Sequence, residues 1–364
     1  MNLLFIFIFG LITLAFIFPR SKILHVFLVF LSFSLFTLSF DEYDRYAYMT
    51  EYDNMRSTIG SEYEILFVAL MKICNLLGFS FEGFRYVTAG ITFSCLEYVV
   101  FKNTKNINIV WALYFIFSAM FDATLIRNSL AMGIAAIVII KMMDLRTVKD
   151  YIVCISLAMS AALIHSAYWM LFVLLLLWFP LQKRKIKYLF VLAVLLIYGV
   201  VSTFDEKIFS IYSSLLVREA TIDKYMTGFY SNEIGQIYNL AKYCFVISPV
   251  LFFWPSKMKE KRTLDGKVLL PHYIWSINLL FLVILLPQSL AANFSRLYRI
   301  LIFFNYIYLA YCYDVKTIRP AIVVYGIIYS LVLLLLMLFF ESITTIEFIF
   351  NMHLETNKFF NLFS

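Results

Sequence analysis

Apolar runs of about 15–20 residues recur from one end of the chain to the other, from NLLFIFIFGLITLAFIF at residue 2 to IVVYGIIYSLVLLLLMLFF at residue 322. A run of that length crosses the ~30 Å hydrocarbon core of a bilayer as a helix, which satisfies its own backbone hydrogen bonds where no water can. Hydrophobic residues make up 63% of the chain and charged residues 15%, a balance far from that of a soluble domain. The expected fold class is therefore all-α, a polytopic membrane protein with a single integral membrane domain over residues 1–364. The first run lacks a basic leader and an A-x-A-like cleavage site, so it reads as a membrane helix rather than a signal peptide. Cys74, Cys95, Cys154, Cys244 and Cys312 are scattered through apolar runs without C-x-x-C spacing, and they read as packing residues.

Charge fixes the orientation. A net charge of +7 would suit nucleic acid, but the basic residues concentrate in short connections between the runs, as the positive-inside rule demands, and no nucleic-acid partner is expected. Arg20/Lys22, Lys102/Lys105, Lys141/Arg146/Lys149, Lys183/Arg184/Lys185/Lys187, Lys257/Lys259/Lys261/Arg262/Lys267 and Lys316/Arg319 are thereby placed in the cytoplasm. The outer face receives loop 41–83, loop 205–236, turns near Phe121, His165 and Ala292, and the tail from Glu341. Parity forbids one of the two apolar runs between Phe40 and Lys102 from crossing. Residues 62–77 carry Glu62, Glu64, Lys72 and Asn75, so that run is expected to lie on the outer interface. Residues 207–219 have helical apolar spacing and form a second such helix. About 12 spanning helices remain, near 2–18, 23–40, 84–101, 107–120, 124–140, 151–164, 167–181, 188–204, 237–254, 271–290, 297–313 and 320–340.

A charge near hydrocarbon is costly to place, so the exceptions to this pattern are informative. Arg127 sits just inside a helix entered from outside, and Arg296 and Arg299 open another. All three are on the wrong side for the positive-inside rule. Either they snorkel to headgroups or pair with a local acid such as Asp122, or they form an anion site. A guanidinium presents the forked geometry that suits the phosphates of a lipid-linked pyrophosphate in the outer leaflet. His165 marks the tip of an external hairpin, as a hydrogen-bonded structural residue or as a participant in chemistry. The first external loop begins FDEYDRYAYMTEYD, interleaving acids with Tyr43, Tyr46, Tyr48 and Tyr52. Sugar binding explains both residue types; an interfacial aromatic belt explains the tyrosines equally well. A carboxylate in this loop would also serve as general base on an acceptor hydroxyl.

Taken in order, these stretches resemble the EpsG/Wzy-type polysaccharide polymerases of bacteria, which join lipid-linked repeat units into capsular, exopolysaccharide or O-antigen chains. YDRYAYMTEY from Tyr43 resembles the family's Asp followed by tyrosines, and SEYEILFVAL supplies its Glu at the start of an apolar segment. LIRNSLAMGIA from Leu125 resembles its IRQ…A signature, LIHSAYWM its His hairpin, and FSRLYRILIFF its Arg-rich late helix. DKYMTGFY from Asp223 resembles a Tyr-x-x-x-x-Tyr external segment and brings in Tyr225 and Tyr230. The likeness covers about residues 40–310, with two departures: Glu62-Tyr63-Glu64-Ile65 stands where the family reads Glu-Pro-Gly-Tyr, and Asn128 replaces a Gln.

The resemblance implies a GT-C-like glycosyltransferase of the cytoplasmic membrane with its active site facing outside. Its substrate would be an oligosaccharide on undecaprenyl pyrophosphate, and a chain-length co-polymerase would be a partner. By that analogy Asp44, with Asp41 as rival, is the catalytic base. Arg127, Arg296 and Arg299 stabilise the leaving pyrophosphate and His165 orients acceptor or phosphate. Glu62, Tyr48, Tyr225 and Tyr230 join the substrate site. No cofactor is required, although Asp41, Glu42 and Asp44 have the oxygen donors for a divalent cation. Two other readings fit a polar membrane cavity: a flippase for the same lipid, which would need to open to both faces, and a related glycan ligase.

Overall fold

The computed structural model describes residues 2–38, 45–54, 63–181, 184–203, 233–253, 270–290 and 292–341, and the regular structure among them is helical throughout. Two compact units share the chain: Met1–Tyr168 with Tyr306–Ser364, and Trp169–Asn305.

The first unit opens with α1 (Asn2–Ile17) and α2 (Lys22–Leu38), followed by α3 (Arg45–Asn54), α4 (Ile65–Leu76) and α5 (Phe81–Asn103). It continues with α6 (Ile107–Ile116), α7 (Ser118–Thr124), α8 (Ile126–Met142) and α9 (Val148–Ile164). Its centre is α8, packed between α5 and α9, while α2 lies against α5, α6 and α7. Gly133 permits the close approach of α8 to α5: a Cβ there would sit 3.2 Å from the Thr92 carbonyl oxygen and 3.2 Å from Cys95 Cβ. Small residues at such crossings are how helices pack where no hydrophobic effect drives them together. Between α2 and α5, His25 Nε2 meets Glu97 Oε1 at 3.0 Å.

The helix ends follow from sequence. Ser80 accepts the Gly83 N–H and starts α5, and Thr147 with Asp150 forms a reciprocal capping box that starts α9. At the end of α4 the Phe79 N–H reaches the Cys74 carbonyl and the Gly78 N–H reaches Asn75. That closure places Gly78 at φ 79°, a conformation that favours glycine.

The second unit contains α10 (Met170–Leu181), α11 (Arg184–Thr203), α12 (Glu233–Phe252), α13 (Leu270–Leu280) and α14 (Leu285–Leu290). Helix α15 (Tyr298–Cys312) contains the boundary back to the first unit, to which α16 (Arg319–Glu341) belongs. Side-chain amides tie the second unit together. Asn278 and Asn305 bond each other at 2.9 and 3.2 Å, Asn305 also donates to the Val246 carbonyl, and Gln288 donates to Asn239 at 2.6 Å. Such bonds act as interhelical glue in an apolar bundle.

Three expected spans are not single straight helices. The segment 107–120 breaks at Phe117 (φ −120°, ψ −64°), and α6 and α7 meet at a bend of 60°. The segment 167–181 starts with a 3-10 turn, Ser166–Trp169. The segment 271–290 is interrupted by a 3-10 turn, Phe281–Ile284, upstream of Pro287, which has no N–H to offer the Val283 carbonyl. Among the described residues no single helix is long and apolar enough to cross a membrane, whereas α6 and α7 pass that test as a pair. Helix α2, with 17 residues, rises about 25 Å, short of the ~30 Å core. The expected helix at 62–77 is present as α4, and the one at 207–219 lies outside the described residues.

Candidate active site on the first unit

Arg127 projects from the first turn of α8, and its Nη1 donates to Glu64 Oε2 at 2.5 Å. Glu64 is the N-cap residue of α4, in extended conformation (φ −68°, ψ 148°), yet its side chain makes no capping bond. The carboxylate is therefore available to Arg127, and its other oxygen accepts the Ser166 N–H at 2.8 Å. One carboxylate thus joins the start of α4, the start of α8 and the turn after α9. Arg127 and Glu64 side chains are 19% and 21% exposed, enclosed but within reach of a ligand.

The guanidinium carbon of Arg127 stands 4.8 Å from the centroid of the Tyr63 ring, a cation–π contact that fixes its plane. Tyr63 is backed by Tyr48 at 5.2 Å and by Phe67 at 6.0 Å. With Nη1 held by Glu64, Arg127 keeps its Nε and Nη2 fork without a protein acceptor among the described residues. That fork is the edge which binds a phosphate or carboxylate in bidentate fashion.

His165 terminates α9, and its Nδ1 accepts the Ala167 N–H at 3.2 Å, which leaves the neutral ring its proton on Nε2. Two residues on, the Tyr168 hydroxyl donates to the Asn128 carbonyl at 3.2 Å and to Asn128 Oδ1 at 3.3 Å. The turn after α9 is thereby fastened to the residue next to Arg127. Asp122, the local acid named as a partner for Arg127, is engaged elsewhere: it accepts the Tyr114 hydroxyl at 3.0 Å, and its carbonyl accepts the Ser129 hydroxyl.

A second cluster ties α2 and α3 to the start of α5. Glu82 accepts from Arg45 at the start of α3 and from Arg85 at 3.3 Å, and Arg85 donates to the Phe36 carbonyl in the last turn of α2 at 2.7 Å. Tyr52 donates to the Phe79 carbonyl at 2.8 Å. The residues flanking Asp41 and Asp44 are thus both tied to the start of α5.

The structure brings Arg127 and His165 to one place. Tyr48 is buried, so the aromatic face beside Arg127 is that of Tyr63. Arg299 is buried in the first turn of α15 and Arg296 is half-buried on the 3-10 turn Ala292–Leu297, both in the second unit. Asp41, Glu42, Asp44, Glu62, Tyr225 and Tyr230 lie outside the described residues. The sequence does not single out Tyr63, Ser166 or Glu64 as parts of a site; Glu64 stands out there only as one of the charges in the run 62–77. Among the described residues no cluster of three or more His, Cys, Asp or Glu is arranged to hold a metal ion.

No curated protein and no solved structure matches the chain. The family model of the EpsG family matches residues 22–353. With that match over most of its length, the chain belongs to the EpsG family, membrane proteins of polysaccharide biosynthesis.

Proposed function

We propose that the protein is a polysaccharide polymerase, a glycosyltransferase that joins undecaprenyl-pyrophosphate-linked repeat units at the outer face of the bacterial cytoplasmic membrane. The observation that carries this reading is the oriented Arg127 fork, held by Glu64 on one side and Tyr63 beneath. An acceptor sugar hydroxyl attacks the anomeric carbon of the growing glycan while Asp44, or Asp41, takes its proton. The anomeric C–O bond to the pyrophosphate lipid breaks, and the negative charge developing on that oxygen falls to Arg127. Pre-oriented donors of this kind are each worth about 3–4 kcal/mol at a transition state. His165 presents its Nε2–H to acceptor or phosphate. The family resemblance, rather than any contact in the structure, is what assigns Arg296 and Arg299 to the leaving group and Tyr225 and Tyr230 to the glycan. The outward orientation follows from the basic connections, and a place for α4 at the outer interface is supported by its exposed Ile65, Ile73 and Leu76.

The test is reconstitution of the purified protein with its lipid-linked repeat unit. The wild type yields a ladder of products, and the folded Arg127→Ala and Asp44→Asn variants lose it. Parallel lanes with EDTA decide whether a divalent cation takes part. Substrate that remains a single unit and moves to the opposite leaflet overturns this reading in favour of a flippase.

A further inference from the structure

Far along the chain from Arg127, the first unit contains a cavity of about 470 Å³ lined by the polar residues Arg20, Asn106, Asp314 and Arg319 and by the apolar Ile17 and Phe18. It forms where three connections meet: α1 to α2, α5 to α6, and α15 to α16. Those connections carry three of the six basic clusters of the sequence, Arg20/Lys22, Lys102/Lys105 and Lys316/Arg319.

The frame of the cavity is rigid. Asn106 is fully buried; its Nδ2 donates to the Ala310 carbonyl at 2.8 Å and to Asp314 at 3.0 Å, and its Oδ1 accepts Arg20 Nε at 3.0 Å. Arg20 Nη2 closes the set on Asp314 at 2.7 Å, so the acid in the cavity wall is neutralised. Arg319 is held differently. Its Nε donates to the Tyr313 carbonyl at 3.0 Å, and its guanidinium lies 4.8 Å above the Tyr313 ring. The Tyr313 hydroxyl is in turn anchored on the Phe16 carbonyl. Arg319 therefore has a fixed plane, no acidic partner among the described residues, and terminal nitrogens turned to no protein acceptor. Lys22, Lys105 and Lys316, on or next to the same three connections, are exposed. The apolar rim is exposed as well: Ile17 and Phe18 are 60% and 54% accessible.

We infer that this cavity binds an anionic glycerophospholipid of the cytoplasmic leaflet, with its phosphate on Arg319 and its acyl chains along Ile17 and Phe18. A free phosphate would use the cation and leave the apolar rim without purpose; a zwitterionic lipid would cover the rim and bring no net charge to the exposed lysines. Basic pockets at the cytoplasmic ends of membrane helices select anionic headgroups for this reason. The inference rests on the orientation given under the proposed function and is independent of the glycosyl transfer.

Native mass spectrometry of the full-length protein, released from detergent and titrated with phosphatidylglycerol, phosphatidylcholine or inorganic phosphate, reads binding without any activity. The expected result is retention of phosphatidylglycerol in preference to phosphatidylcholine, with an apparent affinity that falls about fivefold in Arg319→Ala. Lys149→Ala, a charge change in another cytoplasmic connection, should leave it unaltered. Arg319→Lys keeps the charge and loses the stacked fork, and is expected to fall between the two. Equal retention of both lipids, competition by inorganic phosphate at the lipid's own concentration, or full retention in folded Arg319→Ala would each overturn the assignment.

Discussion

Arg127 Nη1 and Glu64 Oε2, 63 residues apart in sequence, stand 2.5 Å from each other, and the second Glu64 oxygen holds the Ser166 N–H. Both ends of this pair act through the guanidinium, so their effects should not add. Arg127→Ala should slow polymerisation about 10²–10³-fold. Glu64→Ala should cost less, and the double variant should be no slower than Arg127→Ala alone. Initial rates of ladder formation for the four proteins measure the coupling, and strictly additive losses would mean that Glu64 works apart from Arg127.

The bond from the Ala167 N–H to His165 Nδ1 separates two roles for this ring. Gln reproduces a donor at the Nε2 position, whereas Asn reproduces an acceptor at Nδ1. His165→Gln should retain most of the rate and His165→Asn should lose about 10²-fold while keeping the wild-type melting temperature. The reverse order would identify His165 as a cap for the turn and nothing more.

Arg85 is 1% exposed and shares Glu82 with Arg45. Glu82→Ala removes the carboxylate from a buried guanidinium, and because Glu82 is itself 36% exposed the destabilisation should be moderate, about 1–3 kcal/mol. A fall in melting temperature in detergent measures it. Activity should fall further than the folded fraction, since the same residues tie both flanks of Asp41 and Asp44.

Two glycines on facing helices should respond with opposite sign. At Gly90 a Cβ meets nothing within 4 Å, so Gly90→Ala should gain about 0.5–1 kcal/mol from backbone entropy. At Gly133 the added carbon meets the Thr92 backbone, which cannot turn aside, so Gly133→Ala should lose about 1–3 kcal/mol. Thermal unfolding of the two variants side by side is the measurement.

Hydrogen bonds from the Thr147 backbone N–H first, then from its hydroxyl and the Arg146 N–H, hold the Asp150 carboxyl below the usual carboxylate range. A depressed folded-state value means that the capping contribution is present above the ordinary carboxylate range and is lost as pH falls through the lowered one. Asp150→Asn should therefore reduce the melting temperature at neutral pH and flatten its decline on acidification. An unchanged acid limb would show that the Asp150 carboxylate contributes nothing to the stability of α9.

Much of the helical layout was legible because hydropathy reports burial in lipid or protein along the chain. It carries no information on direction, so the turn at Phe117 was invisible, with neither Pro nor Gly to announce it. The start of α5 falls at Phe81, one turn earlier than hydropathy placed it, since the Ser80 cap is a local polar signal inside a loop. Arg127 was legible as a charge just inside an apolar run and His165 as the polar tip of a hairpin between two such runs. Glu64 was not: its partner is chosen by tertiary packing, and Asp122, five residues from Arg127, looked the better candidate until the structure placed its carboxylate on Tyr114.

The three-way junction at Glu64 also dictates an order of assembly during synthesis. Glu64 and its loop leave the ribosome first, Arg127 follows 63 residues later, and Ser166 arrives only after 102. Helices α5 to α9 must all have been synthesised before the last contact can form. Until then the nascent chain holds an acidic loop without its ligands, and the arrival of the turn after α9 is the event that closes it.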